Sequence, residues 1–339
     1  MDKIDKQLLN IIQPNFPIVE RPFQALAKEL SLTEEEVIFR LNKLKKEKII
    51  RRVGAVFNSQ SLGYVSTLLA MKVPPRQVKN IANLINGYSG VTHNYLRNYD
   101  YNLWFTLTAP SEKKLKSIIE EIKTKTGISD LLYLPATRIF KIGVKFDLGE
   151  PTSQLAMPTG RQAGRESEVK KLEPETQKHE FSVKEISLIK QIQEDMLLCI
   201  QPFKIIANEI GMKENEVIDK LKEWEKKGII RRFGAILRHK KAGFKFNAMG
   251  AWIVPKEKTD EVGRIMASFK EVSHCYERPT YPKWPYNLFT MIHGRSRREC
   301  EDAAKEISKA TGIDDYELLY STKEFKKVSM KYFAEEINA

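Results

Sequence analysis

Ile49-Ile50-Arg51-Arg52-Val53-Gly54-Ala55 returns 180 residues later as Ile229-Ile230-Arg231-Arg232-Phe233-Gly234-Ala235. The echo extends both ways along the chain. Upstream of the first string, Ile4, Leu8 and Ile12 recur at helical spacing, and a second helical pattern covers residues 23–30. Thr33 then opens a longer helix. Its hydroxyl is placed to cap the first turn and Glu36 to complete a capping box, while Val37, Leu41 and Leu44 keep the period. Leu188, Ile192, Phe203, Ile210, Val217, Leu221 and Trp224 occupy the same places before the second string. The string itself reads as the strand of a wing over residues 50–57. Three helices followed by a wing make a winged helix-turn-helix pattern.

Downstream, the first copy offers a strand near 65–73, a helix near 77–87, strands near 91–97 and 102–108, a helix near 112–125 and a strand near 129–134. That βαββαβ order is ferredoxin-like. Tails over 138–146 and 323–333 close the two copies, Phe140-Lys141 answering Phe325-Lys326. The second copy carries an insertion, Pro279-Thr280-Tyr281-Pro282-Lys283-Trp284-Pro285. The fold class expected is α+β: two tandem copies of a winged helix-turn-helix (1–62 and 183–242) plus a ferredoxin-like domain (63–148 and 243–339). Residues 149–182, with Pro, Gly, Gln, Ser and many charges, are expected to be a flexible linker in which His179 is functionally silent. So long a period describes a fused pair of domains, not a solenoid.

A hydrophobic content of 42% and a charged content of 30% are those of an ordinary soluble protein, and no run of about 18 apolar residues suggests a membrane span. The opening Met1-Asp2-Lys3-Ile4-Asp5-Lys6 is charged and lacks the apolar centre of a signal peptide. Cys199, Cys275 and Cys300 are odd in number and show no C-x-x-C spacing, which points to a reducing cytoplasm and away from disulfides or structural zinc. A net charge of +13 attracts polyanions: nucleic acid, anionic lipid or a small polycarboxylate. No P-loop, G-x-G-x-x-G or H-E-x-x-H pattern supports nucleotide hydrolysis, dinucleotide binding or zinc proteolysis.

A second repeated string carries the chemistry. His93-Asn94-Tyr95-Leu96-Arg97 answers His274-Cys275-Tyr276-Glu277-Arg278. Packing alone gives no reason to keep a histidine, a tyrosine and an arginine in register. On a strand, side chains at i, i+2 and i+4 share a face. Each trio therefore lines one face, and three polar groups belong on the face of the ferredoxin-like sheet that helices leave uncovered.

Both copies resemble the Lrp/AsnC-type transcription regulators, and more closely their offshoot, the siroheme decarboxylases of the Ahb/Nir type. The motifs that carry the likeness are Ile229 to His239, His274-x-Tyr-x-Arg278, Tyr286-Asn287-Leu288-Phe289 and Leu319 to Lys327. In the first copy they are Ile49 to Ala55, His93-x-Tyr-x-Arg97 and Tyr101-Asn102-Leu103-Trp104. The resemblance implies two related subunits fused in one chain and paired intramolecularly. It also implies removal of the C12 and C18 acetate carboxyls of siroheme as CO2, giving 12,18-didecarboxysiroheme for haem or haem d1 synthesis. The substrate brings its own iron, and no cofactor is required because decarboxylation followed by protonation is electron-neutral.

The alternatives are a DNA-binding regulator and a non-catalytic tetrapyrrole sensor. Against the first, the would-be recognition helices open with Thr33-Glu34-Glu35-Glu36 and Lys213-Glu214-Asn215-Glu216, carboxylates that repel a phosphate backbone. DNA and membranes are therefore not expected as partners. For the enzyme, His274, His239 and Tyr276 are the expected proton donors, with axial ligation of the substrate's iron a competing role for a histidine. Arg231, Arg232, Arg278, Lys326, Arg51, Arg52 and Arg97 are expected to hold carboxylates, and Trp284 and Tyr286 to cover the flat macrocycle. His93 and Tyr95 mark a possible second site. The second copy is expected to be the active one, because His239 stands where the first copy has Ser59. His293 reads as structural.

Overall fold

The computed structural model describes residues 1–143, 170–171, 179–238 and 246–334. The first copy runs α1 (Lys3–Ile12), α2 (Pro22–Leu30), α3 (Glu34–Lys46), β1 (Ile50–Phe57), β2 (Val65–Met71), α4 (Val78–Asn86), β3 (Val91–Arg97), β4 (Leu103–Ala109), α5 (Glu112–Thr126), β5 (Leu131–Pro135) and β6 (Arg138–Ile142). After a two-residue strand β7 (Lys170–Lys171) the second runs α6 (Val183–Ile192), α7 (Pro202–Ile210), α8 (Glu214–Lys226), β8 (Ile230–Leu237), β9 (Phe246–Trp252), α9 (Thr259–Ser268), β10 (Val272–Glu277), β11 (Leu288–Gly294), α10 (Arg297–Thr311) and β12 (Tyr316–Lys327). The α+β class and the duplicated helix-turn-helix and ferredoxin-like plan are as the sequence led us to expect. Of the expected linker, the described part pairs Lys170–Lys171 with β6 and uses Ser182 to cap α6; the remainder lies outside the described residues.

The helices start where local chemistry tells them to. Asp2 and Asp5 form a capping box on α1, and Ser182 and Glu185 form one on α6. Pro22 and Pro202 sit at the first turns of α2 and α7, where a missing N–H costs nothing. Thr33 caps α3 as expected, but Glu36 does not close a box. Its carboxylate accepts from Arg40 Nε at 3.0 Å instead, and the same guanidinium reaches Asp2 and Asp5 at 2.7 and 3.0 Å, tying α3 to α1.

Among the described residues the wing does not close within either copy. Instead β1 pairs with β8, antiparallel, with Gly54 opposite Gly234 at the centre. Each edge of this ribbon is completed by the other copy's first loop: Phe16 N–H donates to Phe233 O and Met196 N–H to Val53 O, both at 2.8 Å. A Cβ on Gly54 would stand 2.7 Å from the carbonyl oxygens of Ile192 and Glu194, and one on Gly234 2.6 Å from that of Ile12. The repeated glycines therefore admit the ends of α6 and α1 against the ribbon. One continuous core unites both tri-helical units around it.

The ferredoxin-like halves exchange their tails. The sheet order is β5-β2-β4-β3-β12-β9-β11-β10-β6-β7. The first part of β12 pairs with β9 of its own copy, and its last residues cross to β3 of the other. Reciprocally, β5 pairs with β2 while β6 crosses to β10. Helices cover the outer faces, with Phe105 central to the first helix–sheet core and Trp252 to the second. The uncovered faces meet each other around Trp104, Trp284, Phe289 and Leu319.

Candidate functional site

Where the two uncovered faces part, beneath the β1–β8 ribbon, lies a cavity of about 580 Å³. That is the size of a small-molecule site. Both polar trios open into it: His93, Tyr95 and Arg97 from β3, and His274, Tyr276 and Arg278 from β10 and the residue after it. What the sequence divides between an active copy and a possible second site is, in space, one chamber. Arg51, Arg231 and Arg232 reach it from the ribbon and Lys327 from the end of β12. Five arginines, a lysine and three histidines thus face the space, and no aspartate or glutamate among the described residues lines it. A positive cavity that no described carboxylate lines, with Glu324 engaging Tyr95 at its margin, is suited to receiving anionic groups on a ligand.

The arginines at the back are fixed. Arg97 Nη1 donates to Leu319 O at 2.8 Å, across to the other copy, and Arg278 Nη1 donates reciprocally to Leu134 O. Each guanidinium lies over the tyrosine of its own trio, 5.7 Å from the ring centre for Arg97 and 4.9 Å for Arg278. Their Nε atoms are buried and have no hydrogen-bond partner among the described residues. Burial pulls both down to about 10, which still leaves them charged at neutral pH.

His274 responds more strongly. Burial first, then repulsion from His93, Arg231, Arg278 and Lys141, lowers it to about 4, so its ring is neutral at neutral pH although solvent still reaches part of it. Burial raises the hydroxyls of Tyr95 and Tyr276. His274 Nδ1 is 2.8 Å from Ser273 Oγ, which is 2.7 Å from His293 Nε2. In the first copy the chain differs: His93 Nδ1 meets Thr92 Oγ1 at 3.0 Å, and that oxygen meets Thr106 Oγ1 at 2.7 Å. In both rings a hydroxyl engages Nδ1, and both rings line the cavity.

Four expected site residues are placed elsewhere. Trp284 does not cover the cavity: its side chain is completely buried among Tyr99, Tyr101, Trp104 and Tyr286 between the two sheets, because the insertion folds inward as a plug. Tyr286 is in the same plug, its hydroxyl 3.3 Å from that of Tyr99. Lys326 turns from the cavity, its ammonium donating to the carbonyls of Asn86 and Tyr88 at the C-terminal end of α4. Arg52 is half-buried and not part of the lining, its guanidinium donating to Ala55 O at 3.0 Å. His239 lies outside the described residues.

The structure adds His293, Lys327, Ile139 and Ile142 to the lining. His293 reads as structural in the sequence but lines the cavity, and alternation along β11 from Phe289 through Met291 is the signal that could have found it. Lys327 was not legible: neighbouring lysines point to opposite faces, and a register irregularity between Glu324 and Lys326 decides which faces in. Glu34, read as one of three outward carboxylates, is in fact 7% exposed, paired with Arg21 and accepting from Gln24 N–H at 3.1 Å.

Comparison with known proteins shows the family to which the chain belongs. The AsnC-like ligand binding domain family matches residues 61–141 and 241–326, and the siroheme decarboxylase NirDL-like HTH domain family matches 5–51 and 185–231. Over 336 residues the chain is 38% identical to a siroheme decarboxylase of Hydrogenobacter thermophilus, covering 99% of this chain and 96% of that one. A siroheme decarboxylase beta subunit of Methanosarcina barkeri is 50% identical over 147 residues, 43% of this chain and 97% of the subunit. Among solved structures, the siroheme decarboxylase NirDL in co-complex with an iron-uroporphyrin III analogue is similar at a TM-score of 0.74 and 33% identity, covering 99% of this chain and 96% of that chain.

Proposed function

The chain belongs to the siroheme decarboxylase family, and we propose from that premise that it is a carboxy-lyase removing the C12 and C18 acetate carboxyls of siroheme as CO2. The observation that carries the proposal is a cavity lined by five arginines and Lys327 and, among the described residues, by no carboxylate. A tetrapyrrole with many carboxylates supplies the missing negative charge. Charge-assisted hydrogen bonds from arginine contribute on the order of 1.5–3 kcal/mol each.

The chemistry asks for little and places it carefully. The bond from methylene to carboxylate breaks, CO2 leaves, and the electron pair stays on the methylene, shared with the ring. A proton then converts the methylene to methyl. No electron is gained or lost, so we propose that no redox cofactor takes part. His274 and Tyr276 are the groups we assign to proton delivery, a role typically contributing roughly 10²–10⁴-fold. Burial and neighbouring cations keep His274 neutral, and a polyanion among those cations replaces repulsion by attraction and raises its affinity for a proton. Arg97, Arg278, Arg51, Arg231 and Arg232 hold the carboxylates that stay. DNA is not a partner in this reading.

Anaerobic incubation with siroheme, followed by mass spectrometry, is expected to show loss of two CO2. His274→Ala is expected to slow this by at least about a hundredfold. An unchanged siroheme mass with the intact protein would reduce the proposal to binding alone.

A further inference from the structure

The two ends of the cavity are equivalent by the repeat and opposite in chemistry, because of what the exchanged tails lay beside each trio. In the second half, β6 places Ile142 opposite His274 and Ile139 opposite Tyr276. In the first half, β12 places Lys327 opposite His93 and Glu324 opposite Tyr95. Cross-strand partners share a face, and Ile139, Ile142 and Lys327 all line the cavity. The hydroxyl of Tyr95 is within hydrogen-bonding reach of the Glu324 carboxylate, whereas Tyr276 has only isoleucine in the equivalent place.

We infer that Ile139 and Ile142 decide where CO2 departs: they make the His274 end the reacting end, while Lys327 makes the His93 end a holding end. The inference rests on the proposed decarboxylation. A carboxylate against Ile139 and Ile142 has lost water and meets no counterpart of Lys327 there, so its charge is less favoured than at the other end, while the neutral product CO2 is not penalised. A carboxylate beside Lys327 and Arg51 is stabilised as an anion and stays. Atoms balance as before: the carbon–carbon bond breaks at the dry end, and a proton from His274 or Tyr276 replaces the departing CO2 on carbon. Both carboxyls then leave from one end, the ring being re-seated between them. Neither isoleucine touches the electrons that move, and both set the reactivity of a group they contact.

The test uses the full chain and siroheme, following binding by the change in the visible spectrum and turnover by mass spectrometry. Ile142→Lys is expected to bind siroheme with KM changed less than about threefold and to lose kcat by on the order of a hundredfold, the effect of a cation at contact distance in a partly dry site. Ile142→Leu is expected to retain kcat, and thermal melting checks that both variants fold. Lys327→Ile is expected to act chiefly by raising KM. If Ile142→Lys turns over like the parent, or if its loss is all in KM, the inference is overturned. Should the parent chain itself bind siroheme and release no CO2, it is the proposed function that fails.

Discussion

His274 is a base that its surroundings keep unprotonated, and this has a sign. Its native pKa of about 4 lies below the ordinary 6.5, so the unfolded chain binds the proton more readily. The contribution of this site to stability is therefore full above pH 6.5 and is lost as pH falls from there towards 4. Melting temperature is expected to drop over that window, less steeply in His274→Gln. A bound polycarboxylate reverses the repulsion, so siroheme binding is expected to take up protons. Calorimetry in two buffers of different ionisation enthalpy would measure this, and identical apparent heats would count against it. At this scale the trios were legible because polar residues repeated at alternate strand positions have no packing reason to persist. Trp284 and Lys326 were misjudged for want of information that single residues do not carry. Aromatic rings in an insertion suit a lid or a plug equally, and a lysine suits a ligand or a helix end.

The exchanged strands β6 and the last part of β12 are the elements on which the site depends. In sequence they were only tails, since a short strand of Arg138-Ile-Phe-Lys-Ile142 has no amphipathic period long enough to name its partner. Phe140, 1% exposed, anchors β6 against α9, where a Cβ on Gly263 would come within 2.5 Å of its ring. Alanine is the better helix former by about 1 kcal/mol, yet here it meets a rigid ring. Gly263→Ala is therefore expected to destabilise the protein by about 1–3 kcal/mol, and Phe140→Ala by about 3–5 kcal/mol, both readable by denaturant unfolding. A stabilised Gly263→Ala would mean that β6 does not dock in this way. The wing illustrates the same limit: residues 50–57 are a strand as the pattern requires, but their partner β8 is in the other copy, and sequence period says nothing about partners.

As a whole, the molecule is two halves that each lack something. Residues 1–148 and 183–339 produced as separate chains are expected to show no turnover alone and to regain it when co-expressed, since each half gives the other a strand and an arginine contact. Activity in either half by itself would contradict a shared cavity. Gel shifts are expected to show no duplex binding at about 0.15 M salt, despite the net charge of +13; a sequence-selective shift would return the chain to gene regulation. The duplication was plain in the sequence, and so was the class of each half; the crossing of the tails was not. That crossing sets a rule for any relative made of identical partners. Under strict twofold symmetry, whatever one tail delivers to its neighbour the other must deliver too, so both mouths would be greasy or both would be salty. Only an unlike pair, fused or separate, can give a ligand with several similar arms a left and a right.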